Sequence, residues 1–258
     1  MLMRTEAKTA FITGGSRGIG RGIVRVLSSA GYDVAFTYSS SLDEAETLRA
    51  EVQAKGRRCF FYQASLERPD VAEAVTAKAI EDLEGIDLLV CNAGMTIFND
   101  LLGLDGSMID FLYNLNYRAY MLCAKVAAND MVSRSEKGNI IFIASTRGIR
   151  AYPNDAIYGG LKAALIRSVE SMALDMAPHG IRVNCVAPGA TAVRGGFSMD
   201  ELSIGPAYVK KIPLGRKGSP DECGHLVRFI ASDEAAYMTG NTIKLDGGLI
   251  LPGIPEKK

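Results

Sequence analysis

The segment Tyr158-Gly-Gly-Leu-Lys162 places a phenol and an amine four residues apart. Residues at this spacing share one face of an α-helix and differ by only about 6 Å along its axis. A tyrosine hydroxyl, with an ordinary pKa of about 10, can exchange protons near neutral pH if that pKa is lowered. A nearby ammonium favours the phenolate, so the pair predicts general acid–base chemistry. Such pairs also occur by chance in many helices, so the prediction needs further support.

A glycine-rich turn near the N-terminus offers a second chemical feature. The sequence TGGSRGIG follows the strand candidate KTAFIT and opens a helical segment, with Gly14, Gly18 and Gly20 in the pattern T-G-x-x-x-G-x-G. Glycines let a backbone approach a pyrophosphate, whose charge then meets the positive end of the helix. A tight turn alone would also need glycine, but the order strand, turn and helix favours a dinucleotide.

The end of the second strand candidate bears on which dinucleotide is bound. Enzymes that prefer the unphosphorylated cofactor place an Asp or Glu there to bind the adenine ribose. Here Tyr38 is followed by three serines, and the first acid is Asp43. Arg17 in the glycine-rich turn has the charge and geometry to bind a 2′-phosphate. We therefore predict NADP(H) as cofactor; the alternative is that Arg17 points into solvent.

Strands and helices alternate along the chain. The strand candidates are KTAFIT, DVAFTY, RCFFYQ, IDLLVCN, NIIFIA, IRVNCVA and TIKLD, with segments of helical period between them. This alternation predicts an α/β fold: a single doubly wound Rossmann-type domain over residues 1–258, with a mostly parallel seven-stranded sheet and helices on both faces. Residues 190–215 lack clear periodicity, and we expect a substrate-covering loop there; a plain surface loop is the alternative.

Composition excludes several functional classes. The 258 residues contain 29 basic and 29 acidic residues, so no net charge favours nucleic acid or an anionic membrane. The five cysteines are scattered singly, without zinc-ligand or redox spacing. No apolar run is long enough to span a membrane, and no cleavage-site pattern is present. We therefore expect a cytoplasmic protein without a metal centre.

Five motifs occur in a characteristic order: TGGSRGIG, NAG at 92–94, YGGLK at 158–162, PG at 188–189 and DGG at 246–248. Over residues 8–250 the sequence resembles the short-chain dehydrogenase/reductase family. The resemblance implies hydride transfer between a nicotinamide cofactor and a carbonyl or alcohol. The family's catalytic quartet matches Asn116, Ser145, Tyr158 and Lys162, and Ser145 precedes Tyr158 by the expected 13 residues.

The resemblance implies a role for each member of the quartet. Tyr158 would exchange the proton, Ser145 would hold the substrate oxygen, and Lys162 would lower the tyrosine pKa and reach the nicotinamide ribose. Asn116 would hold a water that relays protons to Lys162; the alternative is an asparagine that satisfies the helix backbone. The cofactor-binding residues implied are Gly14, Ser16, Arg17, Gly18, Ile19, Gly20, Tyr38, Ser39, Ser40, Ser65, Leu66, Asn92, Ala93, Gly94, Tyr158, Lys162, Pro188, Gly189 and Thr191.

Two positions depart from the family pattern. Ser65 stands where an aspartate usually contacts the adenine, so that contact is expected to be weaker or absent. After the PG motif, Thr191 and Val193 replace an aliphatic residue and a threonine, which makes Thr191 the candidate for anchoring the carboxamide.

The two glycines of YGGLK require an explanation, because each interior glycine costs a helix about 1 kcal/mol relative to alanine. We infer that Gly159 and Gly160 are tolerated because another backbone or the cofactor packs closely there. A helix–helix contact in an oligomer would need the same small residues. The resemblance implies a homo-oligomer, a tetramer or dimer, built on long helices over residues 107–134 and 155–178.

Two substrate classes are compared. Reductases of 3-oxoacyl groups on acyl carrier protein dock an acidic partner through two arginines, whose positions match Glu136 and His179 here. An acid there repels an acidic carrier. Arg147 and Arg194 could instead offer donors to hydroxyls or a carboxylate, or simply be solvent-exposed charges.

We therefore expect a small polar or polyhydroxylated carbonyl or alcohol, with 3-oxoacyl-carrier reduction as the alternative. An alternative of another class is a catalytically silent dinucleotide-binding regulator, which would not need the quartet.

Overall fold

The computed structural model describes residues 7–193 and 206–251. Seven strands form one sheet in the order β3-β2-β1-β4-β5-β6-β7, and every neighbouring pair is parallel. Each of the seven predicted strands is confirmed. The strands are β1 Thr9–Ile12, β2 Asp33–Tyr38, β3 Cys59–Gln63, β4 Leu88–Cys91, β5 Asn139–Ile143, β6 Arg182–Pro188 and β7 Thr242–Leu245.

Helices cover both faces of this sheet, as predicted for a doubly wound fold. The α-helices are α1 Gly18–Ser29, α2 Leu42–Gln53, α3 Val71–Leu83, α4 Gly106–Tyr113, α5 Ala119–Ser133, α6 Ala156–Met176, α7 Pro206–Val209 and α8 Pro220–Ala231. A π-helical turn, Asn114–Arg118, joins α4 to α5. Short 3-10 turns lie at Leu101–Gly103, Thr146–Gly148, Ala177–His179 and Asp233–Ala235.

Alternation along the strands divides the core in two. In β1, Phe11 packs into a cluster with α3, α5 and α6, whereas Ala10 and Ile12 face a second cluster with α1, α2 and α8. All three side chains are fully buried. Because successive strand residues point to opposite faces, a sheet covered on both sides needs continuous apolar runs, which is what the strand sequences provide.

The two expected long helices are present. Helix α4, the π turn and α5 form one rod over residues 106–133, and α6 with its 3-10 extension covers residues 156–179. Asp155 begins α6 by accepting a hydrogen bond from the Gly159 backbone N–H. Within the described residues, no helix is long and apolar enough to cross a membrane.

The expected substrate-covering loop is described only at its ends. Residues 194–205, which include Arg194, lie outside the described residues. At the near end, Thr191 pairs with Gly218 in an isolated parallel bridge. At the far end, the short helix α7 brings Tyr208 to the wall of the main cavity.

Candidate active site

A cavity of about 550 Å³ opens at the carboxyl ends of the central strands. Its walls come from the carboxyl ends of β1 to β6 and the segments that follow them, together with the first part of α6. The chain order reverses between β1 and β4, where open parallel sheets bind ligands. The fold thus brings the N-terminal glycine-rich turn and the Tyr158-Lys162 segment to one cavity, although they are far apart in sequence.

Two neighbouring strands fix the shape of the glycine-rich turn. The Thr37 hydroxyl accepts a hydrogen bond from the Gly14 N–H at 2.8 Å, and the Thr37 carbonyl accepts one from Gly15 at 2.8 Å. From the other side, the Asn92 amide donates to the carbonyls of Thr13 and Gly14, at 3.0 Å each. Asn92 therefore positions the turn itself, besides lining the cavity.

Close packing explains why glycine is needed at two places in this turn. Gly14 has a φ of +66°, and a Cβ there would lie 2.8 Å from the Ala93 Cα. A Cβ on Gly20 would lie 2.1 Å from the Gly14 carbonyl oxygen. Helix α1 begins at Gly18, so Gly20 lies in its first turn, and the Arg17 side chain at the N-cap makes no capping hydrogen bond. The first-turn N–H groups and a bare backbone thus suit a pyrophosphate.

Most of the predicted cofactor-binding residues line this cavity. They are Gly14, Ser16, Arg17, Gly18, Ile19, Tyr38, Ser39, Leu66, Asn92, Ala93, Gly94, Tyr158, Lys162, Gly189 and Thr191. Four others, Gly20, Ser40, Ser65 and Pro188, are not among the lining residues. Gly20 supports the turn by close packing, and Ser65 is exposed beside the lining residues Ala64 and Leu66.

The cavity wall also includes polar residues that sequence reasoning missed. Thr96 and Lys217 lie in it, and so does Glu67, an acid near the predicted adenine end. Thr96 follows the NAG motif by two residues, so its place after β4 was the available signal. Lys217 had no such signal. It reaches the cavity through the bridge between Thr191 and Gly218, which is a long-range contact.

Asn116 is fully buried in the π-helical turn. Its amide donates to the carbonyls of Met95, at 3.0 Å, and Leu112, at 3.1 Å, and its oxygen accepts from the Met95 N–H at 3.3 Å. A π turn leaves a nearby backbone carbonyl without its usual α-helical N–H donor, and the Asn116 side chain donates to the Leu112 carbonyl instead. The backbone-satisfying role considered for Asn116 is therefore present, and its role in a water relay stays a prediction.

Ser145, Tyr158 and Thr96 form a cluster of hydroxyl groups. Ser145 lies two residues after the end of β5. Its hydroxyl accepts a hydrogen bond from the Arg147 N–H at 3.1 Å and caps the 3-10 turn that follows. Thr96 and Ser145 both interact with the Tyr158 hydroxyl in the direction that lowers its pKa, and all three residues line the cavity. Two side chains from separate strand ends thus flank the phenol oxygen.

The pKa of Tyr158 is raised, which is opposite to the expected direction. Burial is the main cause, and the negative charge of Asp155 adds to it. The hydrogen bonds of Thr96 and Ser145 and the charge of Arg147 act in the other direction but do not outweigh burial. Because burial disfavours the phenolate, Tyr158 is held in its protonated form, ready to donate.

Lys162 lies beneath Tyr158 and is 3% exposed. Its ammonium donates to the Ile143 carbonyl at 2.9 Å and to the Tyr120 hydroxyl at 3.4 Å, and lies 5.6 Å from the centroid of the Tyr158 ring. Burial lowers the pKa of Lys162 to about 8, against a weaker opposing effect of Cys185 and Cys91. The amine therefore carries its charge at neutral pH and loses it in mildly alkaline solution.

The two glycines of YGGLK have different surroundings. A Cβ on Gly159 would lie 3.0 Å from both the Arg147 carbonyl oxygen and the Asp155 carboxylate, which confirms close backbone packing there. A Cβ on Gly160 would meet nothing within 4 Å, so that expectation is wrong for Gly160 within this chain. Gly160 borders an open hollow of about 600 Å³ outside α6. A role for Gly160 in an oligomer contact stays a prediction.

Arg147 lines the cavity, but its guanidinium is engaged by protein groups. It lies 3.1 Å from the Asp155 carboxylate and stacks over the rings of Phe98, at 4.4 Å, and Tyr152, at 4.6 Å. Asp155 is almost completely buried and also caps α6. The ion pair thus ties the turn after Ser145 to the start of the helix that carries Tyr158.

No group of three or more His, Cys, Asp or Glu side chains in residues 7–193 and 206–251 could hold a metal ion. All five cysteines are free and buried.

The fold and site define the class of oxidoreductases that bind a dinucleotide at a Rossmann-type sheet. The family model described as "Enoyl-(Acyl carrier protein) reductase" matches residues 14–250. Together with the relatives below, this match shows that the chain belongs to the short-chain dehydrogenase/reductase family, whose members act on CH–OH groups.

Two curated relatives illustrate the similarity. The 3-oxoacyl-(acyl-carrier-protein) reductase FabG of Staphylococcus aureus is 36% identical over 246 residues, which cover 95% of this chain and 98% of the relative. The oxidoreductase UcpA of Salmonella typhimurium is 35% identical over 257 residues, covering 96% and 97%.

Solved structures give the same fold. An acetoin dehydrogenase from Enterobacter cloacae superposes with a TM-score of 0.89 at 30% identity, covering 99% of this chain and 100% of its own. A short-chain dehydrogenase/reductase from Serratia marcescens superposes with a TM-score of 0.88 at 31% identity, covering 95% and 98%.

Proposed function

We propose that this enzyme uses NADP(H) to interconvert a small, neutral, polar carbonyl compound and its alcohol. The observation that carries the proposal is that Tyr158, Ser145 and Thr96 line one cavity, with the buried Lys162 ammonium 5.6 Å from the centroid of the Tyr158 ring. When bound, the nicotinamide would supply the hydride. Its phosphates are assigned to the glycine-rich turn and its ribose to Lys162.

Proton transfer follows from the same arrangement. In the reductive direction, Tyr158 donates its proton to the carbonyl oxygen, which Ser145 holds by a hydrogen bond. The phenolate that remains is disfavoured by burial. We expect the Lys162 ammonium, 5.6 Å from the ring centroid, to offset part of that cost. At neutral pH the raised pKa keeps Tyr158 protonated, which is the form that reduction requires.

Charge around the adenine ribose supports NADP(H). Tyr38 and Ser39, at the end of β2, are uncharged lining residues, and Arg17 lies in the same wall. A guanidinium binds phosphate oxygens well, and no carboxylate follows β2 before Asp43. Glu67 lies after β3 and is the acid that would weigh against a phosphate if it approached the ribose.

The substrate preference rests on the surroundings of Arg147. Because this guanidinium is paired with Asp155, it supplies little net charge for a substrate carboxylate. The neighbouring hydroxyl groups of Thr96, Ser145 and Tyr152 suit a compound with a second oxygen beside the carbonyl. The structural similarity to acetoin dehydrogenases supports hydroxyketones and vicinal diketones as the first compounds to test.

Reduction of 3-oxoacyl groups on acyl carrier protein is the second candidate, favoured by the 36% identity to FabG. Against it, Glu136 and His179 occupy the expected carrier-docking positions, and both are exposed. An exposed carboxylate repels an acidic carrier. A silent dinucleotide-binding regulator fits the site less well, because binding alone does not need a tyrosine placed above a buried lysine.

The remaining proposals concern the protein as a whole. We propose a single domain over residues 1–258, covered near the site by the 190–215 segment. The assembly would be a homotetramer built on α5 and α6, as the family resemblance implies. Five free, buried cysteines support a reducing compartment such as the cytoplasm.

The test is a substrate panel with NADPH and NADH. The panel contains diacetyl, acetoin, sugars, polyols, keto acids and acetoacetyl-acyl carrier protein. We expect the highest kcat/KM with NADPH and a small hydroxyketone or diketone. Efficient reduction of the acyl-carrier substrate, with no activity on the small polar compounds, would reverse the choice.

A charge-reversal variant makes this comparison sharper. The double variant Glu136→Lys/His179→Arg introduces two cations at the docking positions, neither of which lines the cavity. It should raise kcat/KM for the carrier-bound substrate and leave that for the small substrate unchanged. Tight NADPH binding without turnover of any panel compound would instead support the silent regulator.

A further inference from the structure

Tyr120 is a second buried tyrosine in contact with the site lysine. It lies in the first turn of α5, directly after the π turn, and is 1% exposed. Its ring packs against Phe142 of β5 with the centroids 6.0 Å apart. Its hydroxyl lies 3.4 Å from the Lys162 ammonium, as an acceptor, and the same ammonium lies 4.9 Å from the centre of the Tyr120 ring.

The surroundings of Lys162 make this contact important. An ammonium removed from water is costly unless nearby groups accept its hydrogen bonds or offer a negative face. The Ile143 carbonyl accepts one hydrogen bond from the ammonium at 2.9 Å. Tyr120 contacts the same ammonium with both its hydroxyl and its ring. The other titratable groups that face this pair are Tyr158 from α6, Cys91 from β4 and Cys185 from β6, with Cys123 beside Tyr120.

We propose that Tyr120 is a positioning residue that holds the Lys162 ammonium beneath Tyr158 and favours its charged form. Both its contacts act on the protonated amine, since the hydroxyl accepts from it and the ring face attracts it. This inference rests on the proposed function in one respect: the charge on Lys162 is what stabilises the Tyr158 phenolate during reduction. The geometry around Lys162 does not depend on which substrate is turned over.

Tyr120→Phe removes the hydroxyl but keeps the ring and the packing against Phe142. The matched control is Tyr117→Phe, because the Tyr117 hydroxyl is 2.9 Å from the Ser168 hydroxyl and also links the α5 region to α6, away from Lys162. In Tyr120→Phe we expect the alkaline limb of kcat for reduction, which begins near the Lys162 pKa of about 8, to move down by about half a pH unit. Tyr117→Phe should leave the limb in place.

A second measurement keeps the inference separate from catalysis. NMR titration of protein with 13Cε-labelled lysine, with Lys162 assigned by its loss in Lys162→Arg, reports the ammonium pKa whether or not a substrate is known. We expect the same downward shift in Tyr120→Phe and none in Tyr117→Phe. An unshifted Lys162 resonance in folded Tyr120→Phe would overturn the inference, whereas a shifted resonance in an enzyme without turnover would overturn the proposed function alone.

Discussion

Gly148 and Gly160 provide a matched pair of glycine-to-alanine substitutions near the same helix. A Cβ on Gly148 would lie 2.6 Å from the Lys162 carbonyl carbon and 2.7 Å from the Ala163 nitrogen, both backbone atoms of α6. A Cβ on Gly160 would meet nothing within 4 Å. Neither glycine has a positive φ, so alanine is compatible with the backbone at both positions.

The two substitutions should therefore change stability in opposite directions. Gly160→Ala improves helix propensity and reduces the entropy of the unfolded chain, which stabilises by about 0.4–1 kcal/mol. Gly148→Ala must push α6 away from the turn that follows Ser145, and such overpacking costs about 1–3 kcal/mol. A displacement of Lys162 approaching 1 Å would also lower kcat/KM by as much as roughly a hundredfold.

Thermal unfolding and steady-state turnover on the best panel substrate measure both effects. For a chain of this size, 1 kcal/mol corresponds to a shift in Tm of about 2–4 °C. We expect Gly160→Ala to have an equal or higher Tm with full activity, and Gly148→Ala to lose both. Equal stability and activity in the two variants would refute the packing argument. A destabilised Gly160→Ala would instead indicate that the face around Gly160 is covered by a second subunit.

Three further predictions concern single features of the site. Arg17→Ala should weaken NADPH binding by roughly ten- to a hundredfold, the equivalent of about 1.5–3 kcal/mol, with little change for NADH. Equal losses of affinity for both cofactors, measured by calorimetry, would contradict a contact between Arg17 and the phosphate. Arg147→Ala should destabilise the protein by about 3 kcal/mol in chemical denaturation, because it removes the cation paired with the buried Asp155 carboxylate, and should lower kcat more than it raises KM. A large rise in KM with unchanged stability would instead assign Arg147 to the substrate. Burial raises the pKa of all five thiols. At pH 8 a thiol reagent should therefore react slowly with the folded protein, whereas the unfolded protein should take up five labels. Fast labelling of the folded enzyme would contradict the buried positions of the cysteines.

The strands, and several motifs that line the cavity, could be recognised from sequence because their signals are local. A run such as DVAFTY is apolar on both faces, as a strand covered on both sides must be, and β2 spans those six residues. The spacing within YGGLK likewise defines a helix face. Once the helices between the strands are recognised, local patterns of this kind predict a mostly parallel sheet with helices on both faces, but not the order of the strands in it.

The electrostatics of the site depend on long-range contacts that no local pattern contains. Pairing with Asp155 changes Arg147 from a free cation into a link between two site segments. Burial, rather than the neighbouring lysine, sets the direction of the Tyr158 pKa. Tyr120 had no motif to mark it, because only the packing of α5 on β5 and α6 brings it to Lys162.

The most direct test of the central claim is to compare turnover and cofactor binding in Tyr158→Phe. The substitution removes the proton donor and keeps the ring, and a general acid contributes about a hundred- to ten-thousandfold to rate. We expect kcat for the best panel substrate to fall by at least about a hundredfold, while the Kd for NADPH, measured by fluorescence, stays within about twofold of the parent value. Turnover within tenfold of the parent enzyme would contradict the assignment of Tyr158 as the proton donor.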